Sequence, residues 1–596
     1  MKFSRKSLAL AIAATGLSLS AMSAFASPEP SLTAVALSGG NTQASFSGGA
    51  TTDNSDTFAT TVDSATAFDV VATINVDPAD VGQDGGRVAV ISIPGMGIFQ
   101  MVSGGLFLPW DGQASSLVPY SYGTLPSSEQ VTILEDMVAS YSNLHDLSFD
   151  IFLGYYANSI DNLVFTSTPI SFATTGDPET GGDAACPSVS VTSDETFEGK
   201  TVCELSGTIT QDTRLTANNV YLLNGAVFVG GDNTDSATLT IDPGTKVISP
   251  VGLNFLVINR GSKIVANGTS SKPIIFTYDD EANATESTTG RWGGLIINGN
   301  APVNGCTEGT ELCELEGEGS TGKYGGNDPE DSSGVLNYVI VKYPGQNITE
   351  TNELNGIAFQ AVGSGTVVNY VQVHGSSDDG VEFFGGTVNV KHLILTSNED
   401  DSFDWTFGFQ GKVQHAIIKQ RPGTGDRGIE ADNNEFAFDA APRSKPSLAN
   451  FTFIGKGEGG RGMEIRRGTG VNISNFVVTG HDDYCLDIDD DATFTNGGST
   501  ATDLTGDLTI RNSLFACANA FNLSDSDPWS IQDWFEGQAD NTADANGSDL
   551  SGFINGPAIN AMTPATFSDS FFDQVDHIGA VANEASDWAS SWMFTD

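Results

Sequence analysis

The stretch SSDDGVEFFGG, Ser376 to Gly386, is echoed by NEDDSFDW, Asn398 to Trp405. In each, two aspartates precede a triplet in which a carboxylate stands between large apolar residues: Val381-Glu382-Phe383, then Phe403-Asp404-Trp405. Side chains alternate faces along a β-strand, so the apolar neighbours point into a core and the acid points out. The pattern runs on through NGIAF, DGVEF, DSFDW, RGIEA, RGMEI, YCLDI and NAFNL, aligned on Ala358, Glu382, Asp404, Glu430, Glu464, Asp487 and Asn522.

A second series interleaves with the first: VLNYVIVKY, VVNYVQVHG, VKHLILTS, VQHAIIKQ, LANFTFIG, ISNFVVTG and IRNSLFAC. It aligns on Tyr338, Tyr370, His392, His415, Asn450, Asn475 and Asn512. One period therefore reads as two short strands plus turns, about 22 to 26 residues where no loop is inserted. Short strands at that period, with no helical pattern between them, define a β-solenoid. Residues one period apart then stack at ~4.8 Å, the spacing between paired strands. TLTIDPGTKVIS, LVINRGSKIVANGTSSKPIIFT and RWGGLIINGNAPV read as earlier coils.

Those early G-T/S-K turns, with RWGGLIINGNAPVNGC, DDGVEFFGGTVNVKHL, DDSFDWTFGFQGKVQHAIIKQ and RGIEADN, resemble a family of exported right-handed parallel β-helix proteins of aquatic bacteria. The resemblance covers roughly residues 205 to 596 and implies a fold and an exported address, but no reaction. Before it, AFDVVATINV, GRVAVISI, LSFDIFLGYY and NLVFTSTPISF alternate apolar and polar positions between turn-rich segments, the signature of an antiparallel β-sandwich. INVDPADVGQDGGRVAVISI, LFLPWDG and FLGYY resemble a β-sandwich module of exported proteobacterial proteins. The chain is thus read as all-β: a signal peptide at 1–26, a β-sandwich at 27–173, a linker at 174–190 and a β-helix with a C-terminal cap at 191–596.

The start supports export. Lys2, Arg5 and Lys6 precede an apolar run, and Ala24-Phe25-Ala26 fits a signal-peptidase site. No later run has the ~18 apolar residues of a membrane helix. With 75 acids against 25 bases, the net charge of −50 argues against nucleic acid and anionic membranes as partners. Six cysteines fall into neighbours, Cys186/Cys203, Cys306/Cys313 and Cys485/Cys517, and are expected as three disulfides in an exported chain.

Stacking would place Glu382, Asp404, Glu430, Glu464 and Asp487 in one outward column. Unit charges ~5 Å apart repel by about 1 kcal/mol in water and more near a protein surface. Arg427, Arg461, Arg466 and Arg467 are the cations at hand for the later half. The earlier half has none in its motifs, so Asp378, Asp379, Glu382, Asp400, Asp401 and Asp404 are the expected metal ligands, with calcium as the ion because oxygens ~4.8 Å apart can share it. A water-facing acidic surface is the plain alternative. Catalysis on a polysaccharide is the other: paired carboxylates suit a glycosidase, and a lyase needs a base, which makes Asp401, Asp404, Glu430, Arg427, Arg461 and His481 the candidates. The expected function is a secreted or cell-surface, non-catalytic, calcium-binding protein acting in adhesion, matrix or glycan binding. A polysaccharide lyase or hydrolase comes second, and ligand capture for an outer-membrane transporter third. DWASSWMF is expected to cover the open end of the solenoid, a loose cover permitting end-to-end association.

Overall fold

The computed structural model describes residues 30–595 except 53–57, 65–67, 95–96, 103–105, 111, 138–146, 176–184, 308, 311 and 349–352. The expected signal peptide and most of the linker lie outside the described residues. The chain divides into two units, 1–182 and 183–596.

In the first unit, strands Ser31–Leu32, Ser45–Thr51, Phe68–Asn75 and Ser128–Met137 form an antiparallel sheet. A second, nine-stranded sheet is centred on Asp84–Ile93 and Ser148–Ala157 and is antiparallel except where Ile170–Thr175 meets Thr61–Asp63. The alternation expected of a sandwich is present. Phe46, Phe68, Ile91, Phe149, Tyr155 and Phe172 are buried in one core, while their strand neighbours face out.

The second unit is a parallel β-helix. Its strands pair with the strand one coil later, as Val381–Phe384 does with Phe403–Thr406. Each coil holds three strands rather than the two read from the sequence. The segment Asn389–Thr396 contributes Asn389–Lys391 to one sheet and Leu393–Thr396 to another, and His392 between them has φ 56°. Tyr338, Tyr370, His415, Asn450, Asn475 and Asn512 occupy the same left-handed corner, with φ between 50° and 65°. Asparagine is one of the few residues that tolerate this backbone. The motif shows the corner once it is known: two outward positions in succession, such as Lys391-His392, break the period of two.

The interior is a continuous apolar column. Val381, Phe383, Phe403, Trp405, Ile429, Ala431, Met463 and Ile465 all lie within it, and Phe359 stacks on Phe383 at 5.0 Å. At its C-terminal end Phe535 stacks on Phe515, and Trp529 and Trp534 are buried among short helices Asp491–Gly497 and Ile531–Glu536. The three disulfides join the neighbouring cysteines: Cys186–Cys203, Cys306–Cys313 and Cys485–Cys517.

The final segment, expected as an end cover, does not close that end. It runs back along the left-handed corners, held by a row of side-chain amides. Asn512 Nδ2 donates to the Thr563 carbonyl, Asn475 Oδ1 accepts from the Ala565 amide, and Asn450 Nδ2 donates to the Gly579 carbonyl. Gln414 exchanges two bonds with Asp573, and Gln372 two with Phe594. The segment covers the stack Tyr338–Tyr370–His392–His415, whose centroids lie 4.3, 4.2 and 5.0 Å apart. A stacked aromatic edge exposed to water is apolar surface, and Trp588 and Trp592 cover it edge-on. A terminal aromatic run signals burial but not what it is buried against, and here its partner is the side of the solenoid.

Trp592 is 5% exposed and touches Tyr338 and Tyr370. Trp592→Ala is expected to cost about 3 kcal/mol, measured as a lower denaturant midpoint for the β-helix.

Candidate functional site

The five acids stack in register. Glu382 pairs with Asp404, Asp404 with Glu430, Glu430 with Glu464 and Glu464 with Asp487 on successive strands of one sheet. The same sheet begins with apolar outward residues, Ile296 and Ala358. These are covered by the insertion after Asn298, where Val303, Tyr324 and the Cys306–Cys313 disulfide pack over Phe255, Val257 and Phe384. The acid column starts where that cover ends. Phe383, Trp405 and Phe409 face the interior, whereas Phe384 and Phe407 belong to the outer cluster.

Two positions before each strand's first inward residue, the successive coils carry Asp379, Asp401, Arg427, Arg461 and Tyr484. This switch from aspartate to arginine divides the column. Beyond it Glu430 and Glu464 are ion-paired, while Asp487 accepts a hydrogen bond from Asn522 at 2.8 Å. Arg427 Nη1 lies 2.7 Å from Glu430 and 2.6 Å from Asp426, and its Nε meets Glu464. Arg466 reaches Glu430, and lies 2.9 Å from Asp432, which Arg467 also binds at 2.6 Å. Arg461 lies 3.0 Å from Asp426.

Before the switch, no described lysine or arginine makes an ion pair with Asp378, Asp379, Glu382, Asp400 or Asp404, and Asp401 has only Arg427 at 3.6 Å. Four overlapping groups bring carboxylate oxygens within 4.8 Å of one another: Asp378/Asp379/Asp400, Asp379/Glu382/Asp404, Asp400/Asp401/Asp426 and Asp401/Asp404/Glu430. Asp379 and Asp401 are 6% and 3% exposed, and the others are partly sheltered. The column therefore points away from the core without being a freely solvated face. Each buried aspartate also grips the next coil: Asp379 Oδ1 accepts the Asp401 amide at 3.0 Å, and Asp401 Oδ1 the Arg427 amide at 2.6 Å.

Burial, and then the neighbouring charges, disfavour ionisation here. The Asp379, Glu382 and Asp404 carboxyls are held well above their ordinary range, chiefly by burial and next by Asp378, Glu318 and Glu382 respectively. Asp378 is pushed up to about 8 by burial and Glu318, and Asp401 to about 7 by burial and Asp400.

The fold adds Glu318 and Glu353, which the sequence gives no means of finding, and Asn355, which the repeat places in register with Asp379. Asn355 Nδ2 donates to Glu382 Oε2 at 2.7 Å and reaches Glu318 at 3.4 Å. Glu318 is raised to about 7 by burial and by Glu353. Asn355 sits one coil before Asp379 at the same position of the repeat, two residues before inward Ile357, whereas Glu318 and Glu353 lie at no periodic position, and contact across an insertion leaves no local signal.

The catalytic candidates separate. Asp401, Asp404, Glu430, Arg427 and Arg461 are brought together. His481 is not on the outer face: it is 1% exposed, neither ring nitrogen has a hydrogen-bond partner, and burial lowers its pKa to about 4. The strand-end His374 is buried as well, bonded to Thr396 and packed by Tyr343 and Phe594.

The chain belongs to the pectate-lyase-like β-helix domain family, whose model matches residues 207–592. No curated protein matches it. Among solved structures it is similar to the catalytic domain of a GH87 α-1,3-glucanase in complex with tetrasaccharides, at 8% identity and TM-score 0.24, covering 88% of this chain and 99% of that one. It is also similar to the catalytic unit of a thermostable GH87 α-1,3-glucanase from Streptomyces thermodiastaticus strain HF3-3, at 11% identity and TM-score 0.26, covering 84% and 97%. At that distance neither likeness bears on function.

Two outcomes follow from the charge division. Carboxyls raised above their unfolded value of about 3.9 contribute stability that is present below that value and lost as pH rises through their folded values. Metal-free protein should therefore lose stability between about pH 4 and pH 8, through Asp378 and Asp401, and Asp401→Asn should reduce that fall in denaturant titrations. Arg427→Met is expected to cost about 3–5 kcal/mol, because it strands paired, buried carboxylates.

Proposed function

We propose that this chain is an exported protein that binds calcium on the uncompensated half of the column and, through it, an acidic glycan, without chemical turnover. The observation that carries the reading is that Asp378, Asp379, Glu382, Asp400 and Asp404 make no ion pair with a described lysine or arginine, while carboxylate oxygens in each group lie no more than 4.8 Å apart. The donors are all hard oxygens, as calcium prefers, and two oxygens at that separation can share one ion at ~2.3–2.6 Å from each. Asp379, Glu382 and Asp404 would hold one ion, with Asp378, Asp400 and Asp401 around it. Calcium supplies the charge that lets these carboxyls ionise together and leaves coordination positions for sugar carboxylates or hydroxyls. Three disulfides fit an oxidising, extracytoplasmic compartment.

A second reading has one observation in its favour. Burial and Glu382 hold the Asp404 carboxyl well above its ordinary range, while Glu430 on the next coil is ion-paired to Arg427 and Arg466. An acid beside an ionised carboxylate is the pairing a glycosidase uses. A lyase is less well served, because Arg427 would be its base. Burial works against the Arg427 charge, but Asp401, Glu464 and Asp426 raise its pKa overall and hold its proton on.

Calcium at a hundredfold excess over its Kd should stabilise the β-helix by about 2.7 kcal/mol, read as a higher thermal midpoint that EGTA reverses. Asp379→Asn and Asp404→Asn should remove the shift. No shift at roughly millimolar calcium would overturn the metal reading. Incubation with uronate and neutral polysaccharides should release neither reducing ends nor unsaturated products. Release that Asp404→Asn abolishes would establish the hydrolase instead.

A further inference from the structure

Beyond the acid-bearing strand Arg427–Ala431 the chain makes a loop, residues 432–446, before the next strand at Ser447–Gly457. Two buried asparagines fix it. Asn433 Nδ2 donates to the carbonyls of Phe438 and Ala440, at 2.9 and 3.0 Å. Its Oδ1 accepts from the Ser444 amide and from Asn304 Nδ2, both at 2.8 Å. Asn434 Oδ1 accepts the amides of Phe436 and Ala437 at 2.9 and 3.0 Å, and its Nδ2 donates to the Asn304 carbonyl at 3.1 Å. The loop is thereby locked to the coil and to the covering insertion at once.

At the crest of this locked loop the Phe436 side chain is 81% exposed, the most exposed of the described large hydrophobic residues. A disordered loop can leave an aromatic in water by default; here side-chain hydrogen bonds hold the backbone that presents it. The position adjoins the column. Asp432, four residues earlier, is bound by Arg466 and Arg467 and is among the charges that raise Asp404. Glu435, next to Phe436, lies 3.8 Å from Arg467.

We propose that Phe436 is the platform on which a sugar ring of the bound glycan stacks, beside the carboxylate–arginine column. The inference rests on the glycan-binding reading and adds a residue that sets which ring is held. The chemistry selects a sugar over other occupants. A single exposed aromatic face matches the C–H face of one pyranose, and the exposed Glu435 and Asp439, one and three residues away in the same loop, are hydrogen-bond acceptors for hydroxyls. It is too small for a protein interface, which needs ~800 Å² on each partner. An anionic membrane is disfavoured by a chain of net charge −50.

The test compares wild type, Phe436→Ala and Phe436→Trp by calorimetry, with polygalacturonate, alginate and a neutral β-glucan as probes in saturating calcium. Phe436→Ala should weaken the glycan bound by wild type about tenfold, and Phe436→Trp should bind at least as tightly as wild type. Calcium affinity and thermal midpoint should be the same in all three. Equal glycan binding by Phe436→Ala and wild type would overturn the platform and leave the functional reading standing. Loss of calcium affinity in Phe436→Ala would overturn it too, by showing that the ring supports the site's structure. A wild type that takes up calcium but none of the three probes would remove the glycan reading and the platform with it.

Discussion

Parallel, in-register stacking is the constraint from which the rest of the β-helix follows. Once a residue type recurs at one position of the coil, its side chain lies over its own counterpart at the strand spacing of ~4.8 Å. For apolar residues this is favourable, and the interior column from Phe359 through Trp405 shows it. For Tyr338, Tyr370, His392 and His415 it produces a stacked edge at the corner. For carboxylates the same geometry is costly, and the chain answers that cost in two ways along one column.

The first answer is a change of residue. Arg427 and Arg461 occupy the position held by Asp379 and Asp401 in earlier coils, so the later acids meet guanidinium groups at hydrogen-bonding distance. The second is proton uptake. Where no ion pair is made, burial and mutual repulsion raise the carboxyls of Asp378, Asp379, Glu382 and Asp404 above the usual range and favour their protonated forms. On the calcium reading proposed above, a divalent cation would relieve the same repulsion that a proton does.

Much of this is legible in the residues, for a physical reason. Strand alternation has a period of two and the coil a recurring length, so the order Glu382, Asp404, Glu430, Glu464, Asp487 and its outward direction follow from the residues alone. The third strand of each coil does not, because one residue with positive φ turns the chain without breaking the apolar run. Nor does the course of the last forty or so residues, since their partners, Gln372, Gln414 and Asn450, lie far away in sequence. Glu318 and Glu353 stand outside the repeat, and only folding brings Glu318 to Asn355 and Glu382, with Glu353 beside Glu318. The charge division itself is half visible: the arginines can be counted, but not the carboxylates each will reach.

The central claim is that register alone builds a cation site from Asp379, Glu382 and Asp404. It is tested most directly by a crystal structure at about pH 8 in calcium, with terbium substituted for anomalous scattering. The expected result is a single anomalous peak within ~2.3–2.6 Å of oxygens from all three residues, and an Asp404→Asn crystal without it. Three carboxyls joined only by short hydrogen bonds, with no peak among them, would show that protons alone relieve the column and would contradict the claim.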